Sequence, residues 1–218
     1  MQNVSDHTAA SVRRRGRPRG FDRDAALAAA MTLFWRKGFS ATSLSDLTQA
    51  MGIGSPSLYA AFGSKGGLYR EALEFYEAQN GHRIWSRFGE AATAREAIEA
   101  FLLDSAAGLA GSSEAPCGCM VTLSAVGGEG CEDLGRLVAS MRAESLTRLR
   151  GRLDRAVSEG ELPAGIDTGA IARFYAAVQG GLSLQARDGA TRIELEGVAR
   201  AAMAGWDALV RCAPDRAV

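Results

Sequence analysis

The chain has 218 residues, 47% of them hydrophobic and 23% charged, with a formal net charge of zero. That is the composition of a folded globular protein, and no apolar run approaches the roughly 18 residues a membrane span needs. The charge is unevenly spread: residues 1–70 carry ten Lys/Arg against four Asp/Glu, the remainder fifteen against twenty-one. A basic front points to an anionic partner, nucleic acid before anionic lipid.

Residues 13–20 read RRRGRPRG, five arginines in eight positions, and residues 1–20 are read as a disordered basic arm. The helical period begins behind it. Leu27, Ala30, Met31 and Phe34 follow the i, i+3, i+4, i+7 rule, predicting a first helix over about 22–37. Asp22 is placed to cap it, Asp24 favours the positive end of its dipole, and Gly38 sits where a C-terminal glycine belongs. Ser43 followed by Asp46 is a capping-box start with Asp in place of Glu/Gln. Leu44, Leu47 and Met51 give that second helix a short apolar face, which Gly52 ends. Gly54 allows a tight turn, Ser55 is expected to cap a third helix with Pro56 at its first position, and Leu58, Ala61 and Phe62 face inward. Gly63 stops it, and Ser64 caps a fourth helix from Lys65.

Two short helices joined by three or four residues with glycine form a helix-turn-helix pattern, or a plain helical hairpin in an all-α core. The outward face of the third helix favours the first. Ser55, Ser57 and Tyr59 are small or hydroxyl-bearing, and residues 47–70 hold no Asp or Glu to repel a duplex.

The segment FSATSLSDLTQAMGIGSPSLYAAFGSKGGLYREAL resembles the DNA-binding domain of the tetracycline-repressor (TetR) family. Gly38-Phe39, Thr42, Leu58-Tyr59, Phe62, Lys65 and Leu68 carry the likeness, which runs over about 21–76. The resemblance implies an all-α fold of about nine helices. Its parts would be a helix-turn-helix domain over 21–66, with recognition helix 56–62, and a larger effector-binding and dimerisation domain over 67–218. It implies that Ser55, Pro56, Ser57 and Leu58 lie at the groove. Tyr59, Thr42 or Ser43, and Lys65 would hold phosphates. No outward Arg, Asn or Gln on the third helix names a base. In the arm, Arg15-Gly16-Arg17-Pro18 resembles an AT-hook core, so Arg17 and Arg19 are read either as minor-groove contacts or as parts of a solvated tail.

Beyond about residue 81 the pattern is helical, with breaks near 111–113, 127–130, 160–165 and 189. Ile171, Phe174, Tyr175, Val178 and Leu182 form one stripe, beside Gly180 and Gly181. Leu195, Val198, Ala199, Ala202, Trp206, Leu209 and Val210 form another. Such stripes complete the subunit core or, as the resemblance implies, pair with a second copy in a four-helix bundle. The expected dimer residues are Phe174, Tyr175, Val178, Gly181, Leu182, Leu195, Val198, Ala202 and Trp206. The resemblance also implies a pocket for a small-molecule effector of unknown identity. Its candidates are Phe75, Trp85, Phe101, Cys119, Met120, Phe174 and Gln179.

Segment PCGCMVTLSAV, 116–126, is read as opening a new apolar helix. Cys119 near its N-terminus would be held as a reactive thiolate. A similar Gly-Cys start to the sixth helix occurs in a branch of the family that includes electrophile and oxidant sensors, and the alternative is a small buried cysteine. Four cysteines, Cys117, Cys119, Cys131 and Cys212, with two histidines, fit neither a disulfide framework nor a zinc site nor a Ser-His-Asp set. No metal, cofactor or membrane partner is expected. The N-terminus lacks the apolar core of a secretory signal, which predicts a cytoplasmic protein. The favoured reading is a homodimeric repressor on a palindromic double-stranded DNA operator, released by an effector. A thiol-based sensor using Cys119 or Cys117 is the alternative. An enzyme and a ligand-free nucleoid-binding protein rank last.

Overall fold

The computed structural model describes residues 21–112, 115–126 and 131–211, and every regular element among them is helical. The helices are α1 (Arg23–Lys37), α2 (Leu44–Met51), α3 (Ser55–Phe62), α4 (Lys65–Glu90), α5 (Ala94–Leu109), α6 (Glu132–Ser158), α7 (Thr168–Arg187), α8 (Arg192–Ala204) and α9 (Trp206–Leu209). The arm arginines Arg17 and Arg19, the 127–130 break and Cys212 lie outside the described residues.

Local chemistry explains most helix starts. Asp22 accepts the backbone N–H groups of Asp24 and Ala25, satisfying donors that α1 cannot pair internally. Ser43 and Asp46 form the reciprocal box at α2, and Thr93 with Glu96 and Thr191 with Glu194 repeat it at α5 and α8. Gly38 and Gly52 end α1 and α2 at φ 80° and 64°, a backbone region that costs a side chain energy.

Helix α4 ties the molecule together. Its first half packs on α1 and its second on α5, while α5 also lies against α7 and α8, and α6 against α7. One buried cluster joins α1–α4 to Met120, Val121, Leu134, Val138, Leu182 and Leu195. A second, around Phe101, Leu149, Leu153, Tyr175 and Trp206, fills the far end of the body. At the α4–α5 corner Arg152 is buried; its Nη2 donates to Glu161 Oε2 at 3.0 Å and to Ala92 O at 3.2 Å, pinning the turn.

Several expectations are corrected. The α3 cap is Gly54, with Ser55 already helical, because proline is tolerated throughout the first turn. Helix α4 runs 26 residues, across the position of the domain boundary expected at 66/67, and carries Gly66, Gly67, Gly81 and Gly89 without a break. Residues 116–126 form no helix: they make a turn in which Leu123 N–H donates to Cys119 O at 3.0 Å, and α6 begins only at Glu132. Tyr175, Leu182, Leu195 and Trp206 are buried in the subunit's own core rather than on a partner-facing surface. Helix α7 is apolar on two faces, and the stripe of period 3.6 picked the inner one.

Candidate nucleic-acid interface and effector cavity

The reading head is built from the α2–turn–α3 unit. Leu47 and Met51 bury one side of α2, Leu58 and Phe62 one side of α3, and residues 52–54 link them. The left-handed Gly52 and the Ile53 N–H bond to Thr48 O at 3.1 Å set the crossing of the two helices. Ser55, Pro56, Ser57, Tyr59 and Ala60 remain on the outer face of α3. Tyr59 is 45% exposed, and its phenol is free to reach a phosphate.

Not every expected contact faces outward. Leu58 is fully buried and holds α3 against the head's core, which rules it out as a groove contact. Thr42 is also buried; its Oγ1 donates to Gly38 O at 2.6 Å, so Ser43 is the exposed hydroxyl at that corner. Lys65 lies over the Phe39 ring, 4.4 Å from its centroid, and burial pushes its ammonium pKa down. It is half-buried rather than a free point charge. Arg23 pairs with Glu71 at 2.6 Å and stacks 4.5 Å from the Phe62 centroid, so it braces α1 against α3 and α4. At the start of α2, the Ser43 N–H and then Lys37 hold the Asp46 carboxyl down at about 2. Its negative charge is thereby offset near the surface offered to DNA.

An inner cavity of about 180 Å³ lies in the body between α4, α5, α6, α7 and the 117–124 loop. That is slightly more than the roughly 150 Å³ that accommodates one benzene in a dry engineered cavity. Four of the expected residues line it: Trp85, Phe101, Cys119 and Gln179. Trp85 and Phe101 stack with centroids 5.1 Å apart and make an aromatic wall. Phe75 and Met120 instead pack into the core that joins head and body, and Phe174 points outward from α7. Sequence reasoning missed Tyr76, Glu77 and Asn80 on α4 and Arg142 and Ser145 on α6. A signal was available: Tyr76, Asn80 and Ile84, with Glu77 and Gly81, recur every four positions on one face of α4. Desolvation, then the nearby Glu144 charge, pushes the Glu77 carboxyl pKa up, and burial drives the Tyr76 phenol well up.

Cys119 keeps its place on the cavity wall but loses the argument for reactivity. No helix starts there to supply a dipole. Its Sγ accepts the Thr122 N–H at 3.4 Å, and Cys117 Sγ donates to Ala110 O at 3.3 Å.

The loop around Cys119 touches the head directly. Trp35 Nε1 of α1 donates to Gly118 O at 3.0 Å, and the Tyr69 hydroxyl of α4 is hydrogen-bonded to Ser124 Oγ at 2.6 Å. Arg187 of α7 donates to Cys117 O at 3.1 Å and to Trp35 O at 3.0 Å. Ser183 Oγ accepts the Cys119 N–H at 2.8 Å. Gly118, at φ 79°, has no room for a Cβ: one would lie 2.5 Å from Leu123 Cδ1 and 2.8 Å from Ser183 O.

Comparison with known proteins agrees with this geometry. The family model for bacterial regulatory proteins of the tetR family matches residues 26–72. The HTH-type transcriptional repressor ComR of Escherichia coli K12 is 34% identical over 221 residues, covering 95% of this chain and all of ComR. BdcR, a repressor of the same organism, is 52% identical over 61 residues, 28% of this chain and 31% of its own length. Among solved structures, a cysteine-substituted CifR bound to 26-base-pair operator DNA superposes with a TM-score of 0.82 at 43% identity, covering 88% of this chain and 100% of CifR. No described helix is long and apolar enough to cross a membrane. The chain belongs to the TetR family of bacterial transcriptional regulators, a family of DNA-binding proteins and not of enzymes.

Proposed function

We propose that the chain is a homodimeric transcriptional repressor that holds a palindromic operator through α3 and lets go when a small molecule fills the inner cavity. The repressor sense follows ComR and BdcR, and operator binding follows CifR. Ser55, Pro56 and Ser57 meet the major groove; Tyr59 and Ser43 grip phosphates, and Arg17 and Arg19 add contacts from the arm. The observation that carries the release step is the loop that is at once cavity wall and partner of the head: Cys119 lines the cavity while Gly118 O holds Trp35 of α1. An effector that displaces this loop shifts α1 and α4, and with them the spacing of two recognition helices.

A short α3 meets little DNA, which calls for two copies. The outer face of α7 and α8 suits that contact. Phe174, Leu184 and the 80%-exposed Ile193 stand among small residues, Ala177 and Gly181 on α7 and Gly197 and Ala201 on α8. Of the expected interface, Phe174 and Gly181 lie on this face, with Val178, Val198 and Ala202 half-buried at its edge.

The test is a gel shift of the purified full chain on the DNA upstream of its own gene. Specific retardation that weakens steeply as salt rises is expected. A shift no stronger than on random DNA, with sedimentation showing only monomer, sinks the reading.

A further inference from the structure

We propose a second ligand site, outside the inner cavity, that takes a small organic acid: a carboxylate head with a flat apolar body. A cleft of about 310 Å³ opens between the end of α4 and the C-terminal half of α6. Its inner wall is Arg152, only 5% exposed. One nitrogen of that guanidinium serves Glu161 and Ala92, but Nε and Nη1 are buried without any hydrogen-bond partner. A guanidinium carries five donors, and a buried one with donors left over is a standing demand for an acceptor.

The rim adds charge and an aromatic surface. Arg155 is only loosely held, 3.9 Å from Glu159, while Arg148, paired with Glu144, lies over the Trp85 ring, 5.2 Å from its centroid. No carboxylate lines the cleft. Trp85 and Phe88, edge to face at 5.1 Å, form the apolar wall on the α4 side. The remaining lining positions are glycines, Gly89 and Gly151, where an added Cβ would meet nothing within 4 Å. Arginines beside an aromatic wall select an anion with an apolar body; a neutral apolar molecule gains nothing from Arg152. The inner cavity shares Trp85 with this cleft but none of its arginines; its own lining holds Arg142 together with Glu77, whereas the cleft has three arginines and no carboxylate in its lining.

The test uses the full chain, calorimetric titration, and benzoate as the probe with inorganic phosphate beside it. One benzoate per protomer is expected, bound more tightly than phosphate. Arg155→Ala weakens benzoate at least tenfold. Gly151→Leu abolishes it by filling open space, and both variants retain the parent's Tm and operator affinity. Arg152→Gln is not the deciding variant, because it also breaks the buried pair with Glu161. Absence of benzoate binding overturns the site, and so does binding that Gly151→Leu leaves intact, which places the probe in the inner cavity. Phosphate binding as tightly as benzoate overturns the apolar half of the assignment. None of these outcomes bears on whether the chain binds its operator, which is measured without benzoate.

Discussion

In the head, each side chain offered to DNA is placed by neighbours a few positions away; in the body, the cavity wall is assembled from residues as distant as Tyr76 and Gln179. Ser43 is set by its box with Asp46, and Tyr59 faces outward because its neighbour Leu58 is anchored inward. Cys119, on its loop, is set by Ser183 of α7, and its neighbour Gly118 by Trp35 of α1. The head is therefore built from short-range contacts, and the body from long-range ones.

The largest expected effect contrasts two adjacent residues of α3. Leu58→Ala should cost about 2–5 kcal/mol in urea unfolding, because it empties a fully buried site. Tyr59→Phe should leave that stability unchanged and weaken operator affinity. Equal stability losses would break the division between support and contact. Next come two glycines with similar backbones and different surroundings. Gly118→Ala should cost roughly 2–4 kcal/mol, combining a strained φ with contacts at 2.5 and 2.8 Å. At Gly52, where a Cβ meets nothing within 4 Å, Ala should cost only about 1 kcal/mol of backbone strain. Thermal melts of the pair read the difference directly, and identical losses would show that the loop yields.

The smallest effect is in the pH dependence. The Asp46 carboxyl titrates at about 2 in the folded chain against an ordinary value of 3.8, chiefly through the Ser43 N–H. Its contribution is complete above the unfolded value and is lost as pH falls from about 4 towards 2, where the folded carboxyl takes up its proton. Tm measured between about pH 5 and 2 should fall more gently in Asp46→Asn, which starts lower. Parallel curves would show that the α2 box does not feel this carboxyl.

Legibility followed the same division. Asp22, Ser43 and Gly52 announce their roles because a cap or a left-handed turn depends on residues three or four positions apart. Thr93 with Glu96 and Thr191 with Glu194 carry the same signal at the same spacing. The PCGCMVTLSAV segment misled for a physical reason: its apolar side chains are needed for burial at the junction of head and body, and burial does not require a helix. Tyr175 and Leu182 misled differently, since a helix apolar on two faces carries two stripes, and periodicity does not say which one meets the subunit's own core.

By itself the sequence determined the all-helical class, the α2–turn–α3 unit and its outward hydroxyls, because these rest on short-range hydrogen bonds and spacing. The tertiary structure alone decided that Thr42 and Leu58 turn inward and that Lys65 leans on Phe39. It also decided that Gly118 and Cys119 together bridge head and cavity and that two nitrogens of Arg152 stay unpaired. Those outcomes depend on which distant surfaces pack together, and packing is a property of the whole fold.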